Sequence, residues 1–179
     1  MKKNNYLIIN ANLGKGGRSL CLSQILIDKL NKNHNIDSQS KIVLLDEFQL
    51  PLCDGKNHLN NPIVSNLSNQ INNSNGIIIC TPIYNYYVNS GLKNLIEMTG
   101  SAWKEKIIGF TCLAGGEKSY MSIMSFSNSL MLDHRCIIIP RFVYVKGNDF
   151  ISDTEVKPEI DKRLNFLVAD LVKFVEALS

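Results

Sequence analysis

Five short apolar runs, Tyr6 to Ile9, Lys41 to Leu45, Gly76 to Cys80, Ile107 to Cys112 and Cys136 to Ile139, alternate along this chain with stretches whose apolar residues recur at helical spacing. That alternation restricts the fold more than any other feature. A strand, a helix and a further strand in succession pack as a parallel unit, because the crossover helix covers one face of the sheet. The run Ile77-Ile78-Ile79-Cys80 is wholly apolar and mostly β-branched, which suits a strand covered on both faces. Leu20, Leu22, Ile25, Leu26 and Leu30 make one helical stripe, Leu92, Leu95 and Ile96 a second, and Met121, Met124 and Leu130 a third. A last helix is predicted over Pro158 to Leu178, with Pro158 in its first turn and Ile160, Leu164, Leu167, Val168, Leu171 and Val175 on its buried side. With right-handed crossovers the expected architecture is a three-layer α/β fold. Its doubly wound, five-stranded parallel sheet would have the strand order 2-1-3-4-5.

At 179 residues and 45% hydrophobic content, one domain spanning 1–179 is expected, burying about 70% of the surface its unfolded chain exposes. The net charge of +3 is scattered rather than gathered into a stripe, so nucleic acid is not an expected partner, whereas a small anionic ligand is compatible. The five cysteines, Cys21, Cys53, Cys80, Cys112 and Cys136, show no C-x-x-C spacing and read as small hydrophobes in a reducing compartment, with no disulfide framework and no metal site. The first apolar run is too short for a signal-peptide core and no stretch reaches the length of a membrane span, so a cytoplasmic protein without a membrane partner is expected. Clusters such as Asn31-Lys-Asn-His-Asn35 and Asn72-Asn-Ser-Asn75 read as exposed links. His34, His58 and His134 show neither triad nor metal-ligand spacing, and His134, beside Asp133 and Arg135, reads as a helix-end or interface residue.

In open parallel sheets ligands settle beyond the carboxyl ends of the strands, and three unusual loops are expected to meet there. The first holds Asn10, Asn12, Lys15, Gly17, Arg18 and Ser19 around a glycine-rich helix start, where free N–H groups and the helix dipole attract phosphate. The second is Thr81, Pro82, Ile83, Tyr84, Asn85 and Tyr86, with Pro82 expected to end the strand and the tyrosines to rim a pocket. The third is Ala114, Gly115, Gly116 and Ser119, two bare glycines against which a flat ligand can lie, with Ser119 a candidate cap for the next helix. Each loop taken singly also reads as an ordinary turn. Their convergence on one sheet edge is what points to a phosphorylated planar cofactor.

Thr81-Pro82-Ile83-Tyr84-Asn85, followed by Val88 and Gly91-Leu92-Lys93-Asn94, resembles the T-P-x-Y-N…L-K-N motif of the NAD(P)H-dependent FMN reductase family. Ala114-Gly115-Gly116 is similar to that family's glycine loop after strand four, and Leu130 to Asp133 with Arg135 to Arg141 resembles one of its branches. The resemblance extends over roughly residues 6 to 145 and implies a flavodoxin-like fold, non-covalently bound FMN and NADH or NADPH as hydride donor. It also implies a small acceptor (flavin, quinone, azo compound or metal ion) and a homodimer or homotetramer, for which Trp103 and the segment Met121 to Met131 are candidate contacts. Family members show G-S-x-R in the first loop, whereas this chain has Ala11-Asn12-Leu13-Gly14, so Lys15 or Arg18 is expected to meet the phosphate instead. A flavodoxin-like electron carrier without NAD(P)H turnover is the alternative, which the net positive charge disfavours.

Overall fold

The structure, a computed structural model, describes residues 3–33, 38–56 and 60–178. Five long strands, β1 (Asn5–Asn10), β2 (Gln39–Leu44), β3 (Gly76–Tyr84), β5 (Ile107–Ala114) and β6 (Ile137–Lys146), lie parallel in the order β2-β1-β3-β5-β6. A two-residue strand, β4 (Tyr87–Val88), pairs antiparallel with β3. The five-stranded order is the one expected; only the numbering shifts, because β4 intervenes. The central strand β3 is buried along Gly76–Ile83, which is why its apolar run is unbroken rather than alternating.

Helices α1 (Arg18–Asn33) and α5 (Pro158–Leu178) cover one face of the sheet, where Leu22, Leu26, Leu30, Leu164, Leu167 and Leu171 pack on Tyr6, Ile8 and Ile78. Helices α2 (Pro62–Asn72), α3 (Ser90–Thr99) and α4 (Met124–His134) cover the other, placing Leu67, Leu92, Leu95, Phe126 and Leu130 against Leu7, Ile77, Ile79 and Phe110. The span of α5 is the one read from its leucine and valine spacing. A small hairpin, β7 (Phe150–Ser152) with β8 (Glu155–Val156), precedes α5.

The structure corrects several expectations. Pro82 does not end its strand: β3 continues to Tyr84, with Pro82 opposite Leu113. In a parallel strand successive residues turn their backbone groups to alternate sides. Cys80 accepts the Ala11 N–H on the β1 side, so Pro82 faces that side again, beyond the end of β1, and no ladder bond is lost. Met121 lies outside α4, in a left-handed conformation (φ 72°), and Ser119 sits in a short turn without capping that helix. Asn31 to Asn33 belong to α1, whereas Asn35, His34 and His58 lie outside the described residues. Helix α2 had no sequence prediction; Asn61 caps it by accepting from the Ile63 and Val64 N–H groups, and Pro62 opens it. Trp103, expected at a subunit contact or the sheet edge, is 0% exposed and donates its ring N–H to Thr99 Oγ1 at 2.7 Å. His134 closes α4, its carbonyl accepting the Glu105 N–H at 2.8 Å.

All five cysteines are free, and Cys21, Cys80, Cys112 and Cys136 are buried. Burial raises the thiol pKa of Cys80 to about 12 and that of Cys136 to about 11, because nothing there solvates a thiolate as water does. A thiol-reactive dye at pH 8 is therefore expected to label Cys53 rapidly in the folded protein and the other four only on unfolding. Fast native-state labelling at Cys80 or Cys112 would contradict the packing described.

Candidate functional site

The carboxyl ends of β1, β3 and β5 lie side by side, and the loops that leave them form one edge. Asn10 Oδ1 accepts the Asn12 N–H at 3.0 Å and Asn12 Nδ2 donates to the Gly14 carbonyl at 2.7 Å, so the loop after β1 is folded on its own side chains. Gly16 and Gly17 follow with φ of 70° and 80°, and a Cβ at either would meet nothing within 4 Å. The Gly17 carbonyl takes the N–H groups of Leu20 and Cys21, at 3.1 and 3.2 Å. Among the described residues the N–H groups of Arg18 and Ser19 meet no acceptor, which leaves donors at the positive end of α1. Lys15 is exposed beside them and Ser19 is buried against the helix start. Open glycine backbone, free N–H groups and an unshielded ammonium make a donor set that fits a phosphate.

Arg18 does not point into this cradle. Its guanidinium lies over the Phe150 ring, 5.3 Å from the centroid, and against Gly147, where a Cβ would stand 2.6 Å from Nη1. Of the two cations expected to replace the missing first-loop arginine, both are exposed, and the Arg18 guanidinium is the one placed away from the glycines, on Phe150.

Beyond Pro82, β3 turns back through Asn85 and Tyr86, whose φ values are 51° and 61°, to pair Tyr84 with Tyr87 and Ile83 with Val88. Two successive positive φ values define the tight primed turn that matches strand twist. Tyrosine is an unusual occupant there, since a left-handed non-glycine residue costs about 1–2 kcal/mol. The turn leaves Tyr84 and Tyr86 more than half exposed, at 57% and 62%. Thr81, Pro82 and Ile83 are buried beneath them and support the hairpin.

On the other side of β3, the loop after Ala114 presents Gly115 and Gly116, where a Cβ would again meet nothing within 4 Å. Ala114 is buried and held in register with Lys146 on β6. Ser119 is half-buried, its carbonyl accepting the Ser122 hydroxyl. Tyr120 packs on Tyr144 with ring centroids 5.0 Å apart, and the Tyr144 hydroxyl accepts the Ile123 N–H at 3.2 Å. A cleft of about 290 Å³ opens behind this loop, lined among others by Gly116, Glu117, Tyr144, Lys146 and Arg163.

Asn89 was not singled out by the sequence reading. It is 4% exposed; its Oδ1 caps α3 by accepting the Leu92 N–H at 2.9 Å, and its Nδ2 donates to the Ala11 carbonyl in the first loop. One side chain thus ties the first loop to the hairpin that leads into α3. Leu13 reinforces the tie by lying on Gly91, where a Cβ would come within 2.7 Å of it. The available signal was an asparagine immediately before the stripe Leu92, Leu95 and Ile96. Asn94 anchors a neighbouring loop, donating to the Pro51 carbonyl and accepting the Cys53 N–H, both at 2.9 Å. Among the described residues no group of three or more His, Cys, Asp or Glu side chains is placed to hold a metal ion, and no helix is long and apolar enough to cross a membrane.

A doubly wound parallel sheet with an anion cradle and a bare glycine turn on either side of its central strand defines a flavodoxin-like, nucleotide-cofactor class of protein. The chain belongs to the family described as NADPH-dependent FMN reductase, whose model matches residues 5–149. A curated relative, an NADPH azoreductase of Bacillus sp. (strain OY1-2), is 22% identical over 173 residues, which is 96% of this chain and 90% of that protein. Two solved structures share the fold. One is an oxidoreductase from Corynebacterium diphtheriae (TM-score 0.79, 15% identity, 99% of each chain), and the other is the flavoenzyme NAD(P)H:(acceptor) oxidoreductase FerB from Paracoccus denitrificans (TM-score 0.75, 19% identity, 98% of each chain).

Proposed function

We propose that this chain is an FMN-dependent oxidoreductase that draws hydride from NADPH or NADH and reduces a small, flat acceptor, a class that includes flavins, quinones and azo compounds. The observation that carries the reading is the pairing of a phosphate-compatible cradle at Gly16 to Ser19 with an open glycine backbone at Gly115 and Gly116, across one strand end. FMN, when bound, supplies the hydride-accepting and electron-donating chemistry that no side chain in the site can supply.

The residues contribute position and environment. Lys15 and the N–H groups of Arg18 and Ser19 would hold the phosphate, with Asn10, Asn12 and Gly17 shaping the loop around it. Gly115 and Gly116 would let the ring lie on backbone, buttressed by Ala114 and Ser119, and their N–H groups are suited to its polar edge. Tyr84, Asn85 and Tyr86 would close the other side, supported from below by Thr81, Pro82 and Ile83, and would exclude water while offering rings on which a planar acceptor can stack. A subunit pairing that covers this edge is part of the proposal. Its support is the exposure of Tyr84, Tyr86, Tyr120 and Met121. Five free thiols favour a reducing compartment and hence the cytoplasm.

Addition of FMN to the purified protein is expected to quench and structure the flavin spectrum. Anaerobic NADPH or NADH should then bleach the bound flavin, and admission of a quinone or azo compound should restore its colour. Absence of flavin uptake overturns the proposal, and uptake without bleaching by either nucleotide transfers the protein to the electron-carrier reading.

A further inference from the structure

Two glycines give the turn after β5 open backbone at the cost of stiffness. On one side the turn is fixed by Ala114, which stands in register with Lys146 at the end of β6. On the other side it is fixed by Lys146 again: its Nζ donates to Glu117 Oε1 at 2.7 Å, so one residue grips both ends of Ala114-Gly115-Gly116-Glu117. Lys146 is itself held, because its backbone N–H donates to Asp149 Oδ2 at 2.8 Å. The adjoining Gly147 lies under the Arg18 guanidinium, so the same strand end also touches the first turn of α1.

The geometry points to Lys146 as a positioning residue that, through its ion pair with Glu117, sets the conformation of the Gly115-Gly116 turn to receive the flavin ring. The inference rests on the flavin reading proposed above. The hydrogen bond and charge of Lys146 hold the Glu117 carboxyl below the usual carboxylate range, and Glu117 in turn raises the ammonium. Glu117 is 84% exposed and Lys146 37%, so water screens the pair and it adds little to global stability. An exposed bridge that closes a four-residue, glycine-centred loop acts on the loop instead. Ordering that loop before the ligand arrives removes an entropy cost from binding.

Three variants of the full chain test this: Lys146→Met, Glu117→Gln, and the exchange Glu117→Lys with Lys146→Glu. FMN affinity is read by flavin fluorescence, and amide hydrogen exchange at Gly115 to Ser119 is read without flavin. Each single variant is expected to bind FMN about two- to fivefold more weakly, the fold-change typical of losing an exposed ion pair. Exchange in that segment should rise while β5 stays protected, and the exchanged pair should recover both properties. In 1 M salt the unaltered protein should approach the single variants in exchange rate, since screening then reaches about 3 Å. Single variants that bind FMN like the unaltered protein overturn the inference, as does an exchanged pair no better than the single variants. Should the unaltered protein take up no FMN, the flavin reading falls by itself, and unchanged exchange in the variants would then remove the brace as well.

Discussion

Replacing Asn89 by alanine is expected to destabilise the protein by about 2–4 kcal/mol, combining about 1 kcal/mol for the lost helix cap with about 1–3 kcal/mol for an unpaired buried carbonyl. Both partners are identified: the Leu92 N–H at the start of α3 and the Ala11 carbonyl in the first loop. The second partner makes the substitution more than a capping change. Without the amide, the first loop is no longer tied to the segment that follows the Tyr84 to Tyr87 hairpin, so the two loops can drift apart. Asn89→Asp keeps the cap and removes the tie. Its carboxylate still accepts the Leu92 N–H, but it has nothing to donate to Ala11. Urea unfolding should place Asn89→Asp no higher than Asn89→Ala, because the cap it keeps is offset by a carboxylate buried against the unpaired Ala11 carbonyl, and FMN titration should show both variants weakened. Full flavin affinity in the aspartate variant would mean that the tie between loops is irrelevant to the site.

Trp103→Ala should lower stability by about 3–5 kcal/mol, the range for removing a large buried aromatic side chain. Marginal domains hold about 5–15 kcal/mol in total, so much of the protein's reserve rests on this residue. Trp103 is fully buried in the turn that follows α3, with its ring N–H on Thr99 Oγ1, its carbonyl accepting the Cys136 thiol at 3.1 Å, and Thr99 bonded in turn to the Leu95 carbonyl at 2.6 Å. The substitution opens a cavity and leaves these groups to rearrange. The melting temperature is expected to drop by about 6 °C or more, given about 2–4 °C per kcal/mol at this size. Sedimentation carried out alongside decides between a core and a contact role. An unchanged melting temperature with a smaller assembly would return Trp103 to a subunit interface.

The layered fold was readable because hydrophobic period and length carry its main elements: the β-branched run of β3 and the leucine and valine spacing of α5 leave little choice. What failed were features decided by neighbours. Pro82 looked like a terminator, and it would be one in a strand flanked on both sides; it is tolerated because β1 stops two residues earlier in the register. Trp103, flanked by small and charged residues, gave no sign of burial, since beyond its local bond to Thr99 it is met by Cys136 from elsewhere in the chain. Helix α2 was overlooked because its asparagines and serines resemble a link, although Val64, Leu67 and Ile71 keep helical spacing. In the candidate site the glycines and tyrosines stood out by type. For Arg18, sequence position sets the backbone at the start of α1, whereas the guanidinium is placed over the Phe150 ring by a neighbour distant in sequence. The tie from Asn89 to Ala11 and the pairing of Glu117 with Lys146 are long-range contacts that no local pattern announces, although the Asn89 cap on α3 had a local signal.

Because β3 outruns β1, the hairpin it makes with β4 exposes only its tip, Tyr84 to Tyr86, while Ile83 and Val88 at its base are buried in the core and Tyr87 packs edge-on against Phe126. Strand residues alternate sides, so residues inserted two at a time on both arms would extend its reach while leaving every inward-facing side chain where it was. Lengthening this tip therefore needs no redesign of the buried layers beneath.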